Sequence, residues 1–146
     1  MKIKDIAKIS GRNITTVEPN ASIADAIEKM VTHSIGALPV CEADGKLIGI
    51  ISERDIMKWL YNHEKPADKT KIKNVMTTDV IIGLPEDDLD DLLKVMTEKS
   101  IRHLPVMTGD RVIGILSIRD VIEEKLSECH TQVRYLHDYI AGGSSQ

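Results

Sequence analysis

The chain has 146 residues and a formal net charge of −4, from 19 basic and 23 acidic side chains. Hydrophobic residues make up 42% and charged residues 29%, which excludes a disordered or fibrous chain and permits a buried core without disulfides or a structural metal. Aromatics are 3%, with no Phe, so neither a stacking platform for single-stranded nucleic acid nor a basic face for nucleic acid or an anionic membrane is expected.

Met1-Lys2-Ile3-Lys4-Asp5 carries charge where a signal peptide needs its apolar stretch, and no apolar run approaches a membrane span. Cys41 and Cys129 form no Cys-x-x-Cys pattern, so a cytoplasmic protein is expected. Residues 15–18 predict a short strand, followed by Pro19. Ser22 then caps a helix whose apolar positions are Ile23, Ala26, Ile27 and Met30. A strand ending in Leu38-Pro39-Val40, a turn at Ala43-Asp44-Gly45 and a strand over 47–51 predict a hairpin, and a second helix opens at Ser52. The polar stretch from Asn62 to Lys71, with Pro66, reads as a linker.

The same order then recurs. Residues 80–83 predict a strand, and Glu86–Asp88 sit at the positive end of a helix carrying Leu89, Leu92, Leu93 and Met96. Leu104-Pro105-Val106, a turn at Thr108-Gly109-Asp110 and a strand over 112–116 predict another hairpin, and a last helix opens at Ser117. On that helix Ile122, Leu126, Cys129, Val133, Leu136 and Ile140 fall at intervals of 4, 3, 4, 3 and 4, a seam of period 3.5 that ends at Gly142-Gly143. It suits either packing on the chain's own core or pairing with a second copy. Residues from Gly143 onward are expected to be disordered.

The recurrence is literal. Ser34-Ile35-Gly36-Ala37-Leu38-Pro39-Val40 returns 66 positions later as Ser100-Ile101-Arg102-His103-Leu104-Pro105-Val106. Gly49-Ile50-Ile51-Ser52-Glu53-Arg54-Asp55 returns 65 positions later as Gly114-Ile115-Leu116-Ser117-Ile118-Arg119-Asp120. Lys2-Ile3-Lys4-Asp5-Ile6 is echoed by Lys71-Ile72-Lys73-Asn74-Val75. Halves of this size are too small to be stable alone, so a core shared face to face is expected.

At both Ser-x-x-Asp segments a strand hands over to a helix, whose first N–H groups and positive dipole end suit a phosphate. The Ser hydroxyl can donate to a phosphate oxygen, and Arg54 and Arg119 add charge. A carboxylate repels phosphate, so Asp55 and Asp120 suit a ribose diol, which offers two donors to one acid. The same spacing is also close to a helix capping box, and that structural reading stands beside the ligand one. Arg102 reads either as a phosphate contact or as a solvated cation. His33, His63, His103, His130 and His137 lack metal-ligand spacing, and the acids from Glu86 to Asp91 lack the Gly and terminal Glu of a calcium loop, so no metal is expected.

The paired Leu-Pro-Val and Gly-x-x-Ser-x-x-Asp signatures, from about Ile6 to about Leu126, resemble a tandem CBS (cystathionine-β-synthase) domain pair, or Bateman module. The resemblance implies an α+β fold of two β-α-β-β-α repeats related by a pseudo-two-fold axis, their sheets packed together, here with an added C-terminal helix. Repeat one would occupy 8–66 and repeat two 75–132, with 133–146 forming the helix end and tail. The implied role is a non-catalytic, energy-sensing regulatory module binding adenine ligands: AMP foremost, then ADP, ATP, NAD or S-adenosylmethionine. One implied cleft combines Ser52, Arg54 and Asp55 with Thr78, Val80, Arg102, His103, Leu104 and Pro105. The other combines Ser117, Arg119 and Asp120 with Thr15, Thr16, Val17, Ile35, Gly36, Ala37, Leu38 and Pro39. Modules of this family commonly dimerise into a disc of four repeats, and a signal would pass to a separate effector protein. The rival reading is an interaction scaffold with vestigial clefts. A nucleotide-hydrolysing enzyme lacks a visible nucleophile–base pair.

Overall fold

A computed structural model describes residues 1–6, 9, 14–62 and 66–144. His63, the rest of the linker at 63–65 and the tail at 145–146 lie outside the described residues.

Each half begins with an amphipathic helix held by a side-chain cap. Helix α1 (Ile23–His33) starts at Ser22, whose hydroxyl accepts the Asp25 N–H at 3.0 Å while Asp25 accepts the Ser22 N–H at 3.1 Å. Asp88 accepts the Asp90 and Asp91 N–H groups at 3.0 and 3.3 Å and opens the corresponding helix of the second half, Leu89–Glu98. Both helices end at a serine in the left-handed region, Ser34 at φ 53° and Ser100 at φ 54°, which turns the chain into its hairpin. Strands β1 (Ala37–Cys41) and β2 (Leu47–Ser52) pair antiparallel with a bulge at Val40/Cys41. In the second half, β3 (His103–Thr108) and β4 (Arg111–Ser117) repeat the pattern with a bulge at Val106/Met107. Helix α2 (Glu53–Asn62) follows β2, α3 is Leu89–Glu98, and α4 (Ile118–Ser144) follows β4.

The strands expected over 15–18 and 80–83 shrink to single parallel bridges, Val17 with Val40 and Gly83 with Val106. Val17 N–H donates to the Pro39 carbonyl at 3.0 Å, and Gly83 N–H to the Pro105 carbonyl at 2.9 Å. This explains a proline in the middle of each strand: its carbonyl is used, and no donor is required of it. The two hairpin sheets pack together, β1 beside β4 and β2 beside β3, about the pseudo-two-fold axis.

The buried residues form two clusters rather than one shared core, and each is completed by a segment from the other half. Ile72 is fully buried among Val17, Ile23, Leu38, Val40 and Ile51, with its N–H bonded to the Ala21 carbonyl at 2.9 Å. Ile3 and Ile6 are buried among Leu89, Met96, Leu104 and Leu116, with Ile3 N–H bonded to the Asp87 carbonyl at 3.0 Å. The echoed Lys-Ile-Lys segments are thus exchanged between the repeats.

On the solvent side of the exchanged N-terminal segment, Glu86 bridges Lys2 at 2.7 Å and Lys4 at 2.8 Å. Hydrogen bonds from these two ammonium groups hold its carboxyl down from 4.5 to about 2. A depressed carboxyl contributes stability above its unfolded value, and that contribution disappears as the pH falls towards 2. An NMR titration of the Glu86 carboxyl carbon is expected to show a midpoint near 2. A midpoint at the ordinary glutamate value would mean the clamp does not form in solution.

Helix α4 runs through Gly142 and Gly143, where it was expected to stop. Its root packs on α3 and β4 through buried Val121, and Lys125 reaches Asp90 on α3 at 2.7 Å. From Cys129 to Ala141 every residue is exposed, so the distal seam does not pack on the chain's own core. Among the described residues no helix is long and apolar enough to cross a membrane, and no group of three His, Cys, Asp or Glu side chains is placed to hold a metal.

Candidate functional site

Both Ser-x-x-Asp segments form capping boxes. Ser52 N–H donates to Asp55 Oδ2 at 2.9 Å and Asp55 N–H to Ser52 Oγ at 3.2 Å; the equivalent bonds at Ser117 and Asp120 are both 3.0 Å. The structural reading of the motif therefore holds, and it also fixes each carboxylate at the mouth of a cleft. The cap leaves room for a ligand contact, because a carboxylate accepts several hydrogen bonds.

The larger cleft has a volume of about 860 Å³ and lies at the junction of β4 and α4. Ser117, Arg119 and Asp120 line it together with Thr15, Ile35, Gly36 and Ala37 from the first half. Its apolar walls are Ile118, expected there in the place of Glu53, and Ile14, Ile113 and Ile115, which sequence reasoning did not single out. Asp120 is only 9% exposed. Arg119 is turned along its own helix, with Nε on Glu123 Oε1 at 3.2 Å, and it is largely solvated.

The smaller cleft, about 470 Å³, lies at the junction of β2 and α2. Ser52, Arg54, Asp55, Val80, Arg102 and His103 line it as expected. Thr77 and Asp79 take the place expected for Thr78, which does not line it. Thr77 Oγ1 donates to Asp55 Oδ1 at 3.0 Å, so a ribose would compete with this hydroxyl. Thr77 is brought there by an isolated bridge to Ile50, with backbone bonds of 2.8 and 2.9 Å. Arg54 Nη1 reaches across to the Ser100 carbonyl at 3.3 Å.

Several expected residues lie elsewhere. Leu38 and Leu104 are wholly buried, because alternation along a strand sends them into the cores when their neighbours Ala37 and His103 face the clefts. Pro39 and Pro105 are buried and give their carbonyls to Val17 and Gly83. Val17 is buried in the first cluster, and the Thr16 carbonyl takes the Lys29 ammonium at 2.8 Å in a groove beside α1 that is separate from both clefts.

The two clefts share a wall of Gly36, Glu53, Arg102 and His103. A Cβ at Gly36 would stand 2.6 Å from Glu53 Oε1 and 3.0 Å from the His103 ring, so a side chain there would push the carboxylate end of Glu53 aside and crowd the imidazole. Facing the larger cleft, Arg102 and Arg119 are opposed by Glu53, Asp120 and Glu123.

The CBS domain family matches this chain twice, over residues 3–62 and 72–127. An uncharacterised 33.4 kDa protein of Thermofilum pendens is 38% identical over 106 residues, which cover 73% of this chain and 34% of that one; the chain thus spans about a third of this relative. Among solved structures, the CBS-domain containing protein ATU1752 of Agrobacterium tumefaciens is 34% identical with a TM-score of 0.79, covering 86% of this chain and 99% of that one. The CBS domain pair of protein MJ0100, solved with 5′-methylthioadenosine and S-adenosyl-L-methionine, is 29% identical with a TM-score of 0.77, covering 88% and 98%. With both repeats matched and two packed hairpin repeats in place, this chain belongs to the CBS domain family.

Proposed function

We propose that this chain is a non-catalytic, cytoplasmic regulatory module that binds an adenine nucleoside or nucleotide in the larger cleft. The observation that carries this reading is the nearly buried Asp120 carboxylate, held by its capping box at the mouth of a cleft walled by isoleucines. Isoleucine faces suit an adenine ring, the carboxylate suits the ribose diol, and the start of α4 offers N–H groups to a phosphate. The relative solved with two adenosine derivatives supports this ligand class. The near balance of cations and acids around the cleft favours AMP or an uncharged adenosine derivative over ADP, ATP or NAD, whose added phosphates would meet Glu53 and Glu123.

A ligand touching both halves stabilises one packing of the repeats over others, which is how a signal would reach a separate effector protein. The chain is further proposed to act as a homodimer. Val31, Met57, Leu60 and Tyr61 form an apolar face on α1 and α2 that is 60% or more exposed at each residue, as a surface covered in a dimer would be.

Thermal unfolding with AMP, ADP, ATP, NAD and S-adenosylmethionine tests the ligand reading. A ligand at a hundred times its dissociation constant adds about 2.7 kcal/mol, which raises Tm by several degrees. No shift with any of them would leave the interaction scaffold as the better reading, and turnover of ATP would overturn the non-catalytic one.

A further inference from the structure

The wall between the two clefts is lopsided in charge. Gly36 and Arg102 hold equivalent places in the two repeats, 66 positions apart, and so do Glu53 and Ile118, 65 positions apart. Both places are tied alike: Glu53 N–H donates to the Gly36 carbonyl at 3.0 Å, and Ile118 N–H to the Arg102 carbonyl at 2.8 Å. Two identical repeats would give each cleft its own cation from this strand. Here one of the two places is a glycine, and Arg102 lines both clefts. Among the described residues it is the one cation that they share.

Each cleft depends on that cation. In the larger one Arg119 is committed to Glu123 at 3.2 Å, so without Arg102 the acids Glu53, Asp120 and Glu123 would face a single, already paired arginine. In the smaller one Arg54 and Lys58 would face Glu53, Asp55 and Asp79, and Arg54 is turned to the Ser100 carbonyl at 3.3 Å. A phosphate entering either cleft draws the guanidinium to its own side, because a charge-assisted bond is made by direct contact. The other cleft is then left with an excess of acid and repels a second anion. We propose that Arg102 serves the two clefts by turns, so that the chain holds one phosphate-bearing adenine ligand at full strength while the other cleft still accepts an uncharged adenosine. This rests on the adenine-ligand reading above and sets which ligands can occupy the clefts together.

Site-resolved NMR titration of the full chain tests this, with the Ile115 amide reporting the larger cleft and the Thr77 amide the smaller. With AMP, the Thr77 midpoint is expected to fall about tenfold in Asp120→Ala, whose larger cleft stays empty, relative to the wild-type chain. With adenosine the two midpoints should coincide, and in an Arg102→Gln background the AMP displacement should vanish. Asp120→Asn, which keeps the cap, gives the same comparison if the alanine variant does not fold. An AMP midpoint at Thr77 that is equal or higher in Asp120→Ala would overturn the proposal, as would a Thr77 amide that AMP moves in neither chain. An equal displacement with adenosine, or one that survives Arg102→Gln, would overturn it too. AMP and adenosine that move neither amide in the wild-type chain would instead remove the ligand reading itself.

Discussion

Asp120→Ala is expected to abolish binding of the preferred adenine ligand, with at least a hundredfold loss of affinity by calorimetric titration. Two hydrogen bonds from a ribose diol to an ionised acceptor are worth about 1.5–3 kcal/mol each, and the nearly buried setting of Asp120 favours the upper part of that range. The same substitution removes the acceptor for Ser117 N–H at 3.0 Å, so the helix start loses about 1 kcal/mol. That structural loss lowers Tm by roughly 2–4 °C in a chain of this size and cannot by itself empty a binding site. Asp120→Asn separates the two effects. Its carbonyl still accepts the capping bond, so Tm stays close to wild type, while the loss of charge weakens the ligand. Asp55→Ala is the internal control. Asp55 serves the other cleft and already holds the Thr77 hydroxyl, so its removal should leave the main affinity nearly intact. If Asp55→Ala abolishes binding and Asp120→Ala does not, the smaller cleft is the site.

The sequence carried the repeat openly, because two copies of Leu-Pro-Val and Ser-x-x-Asp at matched offsets constrain element order. It also carried both possible roles of the acids, since a capping box and a ligand carboxylate need the same residue at the same distance from a helix start. What it hid are the contacts made at long range. The Lys-Ile-Lys echo was visible, but nothing local says that Ile3 completes the second repeat and Ile72 the first. Thr77 was missed in favour of Thr78 because its reach to Asp55 depends on a single bridge to Ile50, which leaves no periodic signal. The shared wall was hidden for the same reason. Gly36 and His103 are 67 positions apart, and only the packing of one hairpin on the other brings them within reach.

The Leu-Pro-Val leucines separate core from cleft most sharply, and Leu104→Ala is expected to cost about 2–5 kcal/mol of folding stability. Leu104 is wholly buried among Ile3, Ile6, Met96 and Leu116, and its Cδ1 lies 3.0 Å from where a Cβ on Gly83 would stand. Truncation leaves a cavity between the β3–β4 hairpin and the N-terminal segment. Against a total stability of about 5–15 kcal/mol this is a large fraction, and Tm should fall on the order of 10 °C. The equivalent Leu38→Ala opens its cavity against Ile72, which sits in mid-chain and is tied at both ends. Ile3 and Ile72 are both held by backbone bonds, to the Asp87 and Ala21 carbonyls, so neither can settle far into the cavity and Leu38→Ala is expected to cost a similar amount. Ligand affinity of the folded protein should stay within a few-fold of wild type for both, since neither side chain reaches a cleft. Denaturant unfolding and calorimetric titration of the two variants check this together. Unchanged stability with a tenfold or greater loss of affinity would return these leucines to the ligand sites.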